Sequence, residues 1–383
     1  MFRSVLFFPE EGREIFAGAP AIEEYLQRSL GRFIQSVKTW LPSATFKSTQ
    51  IRGRNYGLED LVAVLLRRIR EAAEAQTGGA IERVVLGRPA RFSSDPDADA
   101  RAERRLIAAA EAAGFTEIRL LIEPIAAALA YEATLSKDEL VLVADFGAGT
   151  SDLTLMRVGP TRRGAADRRG DVVASGGVAI GGDRFDAEIM RHKLLPRFGA
   201  GSTYDVMGKR MTMPMAILGK LCAWHEMSFI KERGTMQLLE QMLYTSDRAP
   251  AVEALIDLVE ENLGFRLFRA IEAAKIELST RPSARIRFDE ARVQIDELLT
   301  LAEFERASAS LLAALDEAVV ELLARAGTLA DSIDAVFLTG GSSQIPAVRA
   351  LFVARFGEER LRSADAFASV AEGLGRAAAA QAD

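Results

Sequence analysis

The chain has 383 residues, 49% hydrophobic and 27% charged, with a net charge of −6 and an isoelectric point near 5.4. That balance describes an ordinary globular chain, long enough for two lobes, and argues against a nucleic-acid surface or a polybasic membrane patch. A single cysteine, Cys222, excludes a disulfide framework and suits a reducing cytoplasm, while two histidines, His192 and His225, rule out a Cys/His zinc site.

No run approaches the roughly 18 uncharged apolar residues of a membrane span, and the N-terminal MFRSVLFFPEEG meets acids too early for a signal peptide. Ser4–Phe8 and Arg13–Ala17 read as a hairpin pair. Ala21–Leu30 reads as a short helix and Leu58–Ala75 as a longer one, with Leu61, Val62, Leu65, Leu66 and Ile69 at helical spacing. Val84–Leu86 is a short strand ended by Gly87 and Pro89. Ser93–Asp99 offers N-cap residues to a helix ending at Gly114, and Ile118–Ile122 is the next strand. The basic stretches Arg101–Arg105 and Arg162–Arg169 read as solvated, the second as an exposed loop.

Val172–Ile180 follows as a strand and Asp183–Leu195 as a helix. Residues 215–278 are mostly helical, with a break at Pro250. The Met-rich part, Met207 to Met242, reads as gap-filling core, with a soft binding surface as the other option. Leu298–Leu323 is expected to be helical, Ala335–Thr339 a strand, and Ile345–Phe356 a helix. Such mixing of hairpins and βα units points to α/β with two similar lobes and a ligand in the cleft outside strand ends.

Three motifs carry chemistry. In LVLVADFGAGTSDLTLMRVG, runs Leu140–Ala144 and Leu153–Val158 flank a turn with Asp145, Gly147, Gly149, Thr150 and Asp152. The glycines free backbone N–H groups to cradle an anion, and Asp145 is placed to hold a hydrated Mg²⁺ against a phosphate. Read alone, the segment also fits an ordinary hairpin whose Gly and Asp make the turn. In Phe337–Pro346 a buried strand ends in Gly340 and Gly341 and opens a helix after Ser342, the geometry that presents N–H groups to phosphate or ribose. In Leu121–Tyr131, Glu123 precedes a helix started by Pro124; a carboxylate merely favoured by the helix dipole is the plainer account.

With these motifs in order, the chain resembles the nucleotide-binding half of the seventy-kilodalton heat-shock (DnaK-type) family, and most closely its YegD-like branch. Val84–Phe92, Gly181–Asp186 and Glu272–Ser279 extend the resemblance, which covers Ser4 to Ala380. It implies an actin-like ATPase fold, two lobes around a central nucleotide cleft. Lobe I would span 1–138, with 358–383 returning to it. Lobe II would span 139–357, divided into a sheet subdomain (139–180 and 310–357) and a mainly helical one (181–309).

The resemblance also implies ATP or ADP with Mg²⁺ as ligands. Asp145 would hold the water-bound metal, with Glu123 nearby. Gly147, Ala148, Gly149 and Thr150 would contact the β- and γ-phosphates, and Gly181, Gly182 and Asp183 form the glycine pair near the ligand. Lys38 falls where the family's catalytic lysine orients the attacking water. Glu272 and Lys275 would bind ribose, Ser279 the adenine, and Gly340, Gly341 and Ser342 the ribose and α-phosphate side, with Asp365 closing the adenine pocket. Ile276 stands where some members place an adenine-stacking arginine.

The implied function is a cytoplasmic, chaperone-type ATPase that closes on Mg-ATP and reopens after hydrolysis, with a protein client or co-chaperone as partner and neither nucleic acid nor membrane. A nucleotide-responsive interaction protein with little hydrolysis is the alternative; sugar-kinase-like phosphorylation and actin-like filaments share the same clamp. The family's opening hairpin, with an Asp-Gly-Thr-type loop, has no counterpart here, and no peptide-binding domain follows the last motif. Either a shortened version of a longer chain or a degenerate, non-hydrolysing form is expected.

Overall fold

The chain opens with strands β1 (Val5–Pro9) and β2 (Phe16–Ala17), helix α1 (Ala19–Arg28) and strand β3 (Gly31–Gln35). The computed structural model describes residues 4–28, 30–93, 95–163, 168–363 and 369–379. A 3₁₀ turn, Val37–Trp40, leads to the hairpin β4 (Thr49–Ile51) and β5 (Arg54–Tyr56). Helices α2 (Leu58–Thr77) and α3 (Pro96–Ala112) bracket β6 (Arg83–Arg88), and β7 (Glu117–Ile122) runs into α4 (Glu123–Glu132).

Strands β8 (Glu139–Phe146), β9 (Ser151–Val158) and β10 (Val172–Val178) are followed by α5 (Gly182–Ile189), the hairpin β11 (Thr203–Val206) and β12 (Lys209–Thr212), and helices α6 (Met215–Leu221), α7 (Arg233–Thr245), α8 (Ala249–Glu260) and α9 (Gly264–Leu278). The hairpin β13 (Ser283–Glu290) and β14 (Val293–Thr300) precedes α10 (Leu301–Ala307) and α11 (Ala309–Ala326). Strand β15 (Ala335–Thr339), α12 (Pro346–Phe356), β16 (Leu361–Ser363) and α13 (Ser369–Ala379) complete the order.

The central sheet has five strands, in the order β10-β9-β8-β15-β16. Strands β10, β9 and β8 are antiparallel neighbours, whereas β15 runs parallel to both β8 and β16. Strand β8 (ELVLVADF) is buried over Val141–Ala144, and every residue of β15 is buried. This is what a sheet covered on both faces requires. Leu142, Ala144, Leu153 and Leu155 face a core completed by α5, α9, α11 and α12, while Val141, Val143 and Met156 face one completed by α4 and α13. Helix α13 approaches α4 so closely that a Cβ on Gly373 would lie 1.8 Å from the carbonyl oxygen of Ala126.

A separate parallel pair, β6 and β7, and a three-stranded sheet, β2-β1-β3, make up the N-terminal part with α2 and α3. The N-terminal sheet is joined to the helical segment by aromatic rings. Tyr25 and Phe33 lie 6.4 and 5.2 Å from Trp224, and 6.0 and 5.7 Å from Phe265. Arg266 adds a hydrogen bond to the carbonyl of Leu26 at 2.6 Å. Among the described residues, no helix is long and apolar enough to cross a membrane.

Five expectations are corrected. Leu298–Thr300 closes strand β14 rather than opening a helix, because the alternating segments 283–290 and 293–300 pair over eight positions. The helix from Asp183 passes at Met190 into a π-helical turn and at Leu195 into a 3₁₀ turn, where Pro196 removes a backbone donor. Arg168 is buried, not solvated, donating to Glu132 at 2.7 Å and pairing with Asp171. Arg101 and Arg105 are half-buried and donate to the carbonyls of Pro42 at 2.7 Å and of Leu41 and Ser43 at 2.8 Å. The Met-rich part divides: Met213, Met227 and Met242 are buried, whereas Met207, Met211 and Met215 are exposed.

Candidate active site

The chemistry-bearing residues gather at the carboxyl ends of parallel strands, where α/β sheets leave a crevice. Strand β7 ends at Ile122 and delivers Glu123 at the start of α4; β8 ends with Asp145 and Phe146; β15 ends at Thr339 before Gly340. The 3₁₀ turn after β3 brings Lys38 to the same place. Its Nζ is bonded to the Glu123 carboxylate, and the pair is partly exposed. Ser36, at the head of that turn, holds a left-handed conformation (φ 55°). The segment behind the turn is fixed by the carbonyl bonds from Arg101 and Arg105.

Asp145 accepts a hydrogen bond from the Thr339 hydroxyl at 2.7 Å. Burial raises its pKa and the Glu123 charge adds to the rise, whereas the Thr339 hydroxyl and Lys38 act in the opposite sense. Its cross-strand partner is Asp152. Burial, with the charges of Asp145 and Glu123, pushes Asp152 up to about 6, and Thr150 Oγ1 donates to it at 3.4 Å. Lys38, Glu123, Asp145 and Asp152 thus form one charge-coupled group, to which the Thr150 hydroxyl is bonded.

The turn between β8 and β9 is closed by the Gly147 N–H donating to the Thr150 carbonyl at 2.8 Å. Its other carbonyls are used by the glycine pair: Gly182 N–H donates to Gly147 at 3.1 Å and Asp183 N–H to Ala148 at 2.8 Å. At Gly181 a Cβ would lie 2.4 Å from the Ala148 oxygen, so only glycine permits this approach. Gly149 has open space where a Cβ would stand.

Lys275 is buried. Its Nζ donates to the Gly182 carbonyl at 3.0 Å and pairs with Asp186 at 2.8 Å. Burial lifts Asp186 to about 6, with Lys275 opposing and Glu272 and Asp183 adding. A Cβ on Gly182 would meet Lys275 Nζ and Ser342 Oγ at 3.4 Å each, so glycine keeps a cradle open between α9 and the turn after β15. That turn starts at Gly340 (φ +81°), where a Cβ would lie 2.1 Å from the Phe146 oxygen, and continues as a 3₁₀ turn from Gly341 that includes the buried Ser342.

The structure therefore brings Gly147, Ala148, Gly181, Gly182, Asp183, Lys275 and Ser342 together, beside the Lys38–Asp145 group. Glu272 instead pairs with Arg269 on its own helix at 2.9 Å, and Ser279 caps α9, its N–H bonded to the Ile276 carbonyl. Asp365 lies outside the described residues.

Sequence reading missed Thr339, Asp186 and Gly87. A Cβ on Gly87 would lie 2.8 Å from Glu123 Cγ, so this strand glycine makes room for the Glu123 side chain. The signal available for Gly87 was a glycine following the apolar run Val84–Leu86 within a strand, and for Thr339 a hydroxyl ending an apolar one.

Among the described residues, no three acidic, histidine or cysteine side chains cluster as a metal cage. Mg²⁺ does not require one, because it keeps several waters and takes one or two carboxylates plus substrate phosphates. Asp145 beside the glycine cradle fits that donor set.

A family model described as Hsp70 protein matches residues 19–220 and 251–383. Among curated relatives, the "Chaperone protein DnaK" of Thermosipho melanesiensis is 27% identical over 365 residues, covering 93% of this chain and 50% of that protein. The protein of the same name from Thermosipho africanus is 28% identical over 379 residues, covering 97% and 52%. The chain spans about half the length of the curated relatives it matches. Fold and site define an actin-like ATPase fold. The chain belongs to the Hsp70 protein family.

Proposed function

We propose that this chain is the nucleotide-binding part of a cytoplasmic, chaperone-type ATPase of the YegD-like branch, binding Mg-ATP between two lobes, 1–138 with 358–383 and 139–357, and closing on it. The observation that carries the reading is the convergence of the Lys38–Glu123 pair, Asp145 and the Gly147–Thr150 turn at the ends of β7 and β8.

Mg²⁺ would be held through water by Asp145 and would supply charge neutralisation for the phosphates. Backbone N–H groups of Ala148, Gly149, Thr150 and Gly181 orient the β- and γ-phosphates, with Gly147 and Gly182 closing the turn behind them and the Thr150 hydroxyl beside them. Lys38 donates a hydrogen bond that aligns the attacking water, and Glu123 holds the ammonium in place. Water oxygen attacks the γ-phosphorus, the bond to the β-bridging oxygen breaks with its electron pair leaving on ADP, and the water proton passes to a neighbouring oxygen base. Such transfer depends almost wholly on positioning and charge. Glu272, Lys275, Ser279, Gly340–Ser342 and Asp365 hold the nucleoside. A protein client or co-chaperone is the partner class.

Calorimetry should show ADP and ATP binding more tightly than GTP or NAD. Lys38→Met should lower ATP turnover by about 10²-fold or more, as loss of a positioned charge does, with ADP affinity nearly unchanged. NAD binding as tight as ADP would refute the ligand assignment. ADP binding without turnover in the wild-type chain would instead support a nucleotide-responsive interaction protein.

A further inference from the structure

In the central sheet, three side chains lie in one row across adjacent strands. Asp152 of β9 pairs in register with Asp145 of β8, and Asp145 with Thr339 of β15. Residues directly opposite one another on neighbouring strands point to the same face, about 5 Å apart. Asp145 is therefore flanked by a carboxylate on one side and a hydroxyl on the other. The carboxylate repels it; the hydroxyl donates to its Oδ1 at 2.7 Å.

Thr339 ends the strand Ala335–Thr339, all of it buried, and is itself 1% exposed. Packing alone would accept valine there, since the neighbours along the strand are Ala, Val, Phe and Leu. Burying a hydroxyl has a cost that only a hydrogen bond offsets. Here that bond goes to a carboxylate standing at the mouth of the cleft. Asp152 is engaged by Thr150, two residues before it in the turn, so each of the two carboxylates has a hydroxyl of its own.

We propose that Thr339 is a positioning residue for Mg²⁺: by fixing Asp145 Oδ1 it sets the carboxylate's rotation and leaves Oδ2 as the acceptor for metal-bound water. The inference rests on the nucleotide reading of this site. Outer partners that orient a ligating carboxylate are worth about 10–100-fold in metal affinity.

The test is ADP titration by calorimetry, with Mg²⁺ and with a chelator, on wild type, Thr339→Val and Thr339→Ser. Thr339→Val should match wild type without Mg²⁺ and lose about 10-fold or more of the Mg²⁺-dependent gain in affinity. Thr339→Ser should keep the gain. In an Asp145→Asn background, Thr339→Val should have no further effect. Thr339→Ala carries the same expectation should valine disturb the strand. Full retention of the Mg²⁺ gain in Thr339→Val, or equal loss in Thr339→Ser, overturns the inference alone. A wild-type chain whose ADP affinity ignores Mg²⁺ overturns the site reading and this inference together.

Discussion

Glycine substitutions at this site should separate into two kinds. At Gly340 a Cβ meets backbone, and φ is +81°. Gly340→Ala should therefore cost about 3 kcal/mol or more and lower the melting temperature, because neither strand end can yield. At Gly87 the added methyl meets the end of a flexible glutamate. Gly87→Ala should keep its melting temperature within a few degrees yet lose turnover, as Glu123 swings away from Lys38. Equal melting losses in both would contradict this division. Asp152 gives a pH signature. With its pKa lifted to about 6 by burial and like charge, the native state binds the proton more tightly than the unfolded chain. Its contribution is thus complete below about pH 4 and is lost as pH rises through 6. Without nucleotide or Mg²⁺, Asp152→Asn should be more stable than wild type by about 3 kcal/mol at pH 7, with the gap closing toward pH 4 in chemical unfolding.

At the scale of elements, helix α3 acts through the loop it grips. Arg105 holds the carbonyls of Leu41 and Ser43 and pairs with Glu59 at 3.1 Å. Arg105→Met keeps the apolar stem and removes these bonds, so the turn bearing Lys38 should drift. Turnover should fall about 10-fold while ADP affinity holds, since displacement of about 1 Å is enough to cost more than that. Unchanged kcat would show that the loop is fixed by other means. The legibility of elements follows from where their signals sit. The β8–β9 clamp could be read because Asp145, Gly147, Gly149 and Thr150 lie within a few residues. The β13–β14 hairpin alternates just as clearly, but its two-residue turn is Ala291-Arg292, with Ala291 at φ 51° and no Gly or Asn to mark it. Arg168 read as solvated because, of its two buried partners, only Asp171 is near in sequence, and Glu132 lies 36 residues away. Thr339 hid in the same way, 194 residues from Asp145.

At the scale of the molecule, the N-terminal sheet and the helical segment are held together by rings rather than by a network of charges. Phe265 touches Tyr25, Phe33 and Trp224 at once. Phe265→Ala should remove about 3 kcal/mol of packing and speed proteolysis of the first 40 residues, a segment that includes Lys38; protection equal to wild type would place the bond between the two parts elsewhere. The same rings give the chain an optical property. Of its two tryptophans, Trp224 sits within the aromatic cluster, while Trp40, two residues from Lys38, is 57% exposed. One chromophore is shielded and the other is wet, so their emissions differ in colour and in access to iodide. A Trp40→Phe chain would emit from Trp224 alone, and any parting of the N-terminal sheet from the helices would appear as a red shift, readable in a stopped-flow trace without a label.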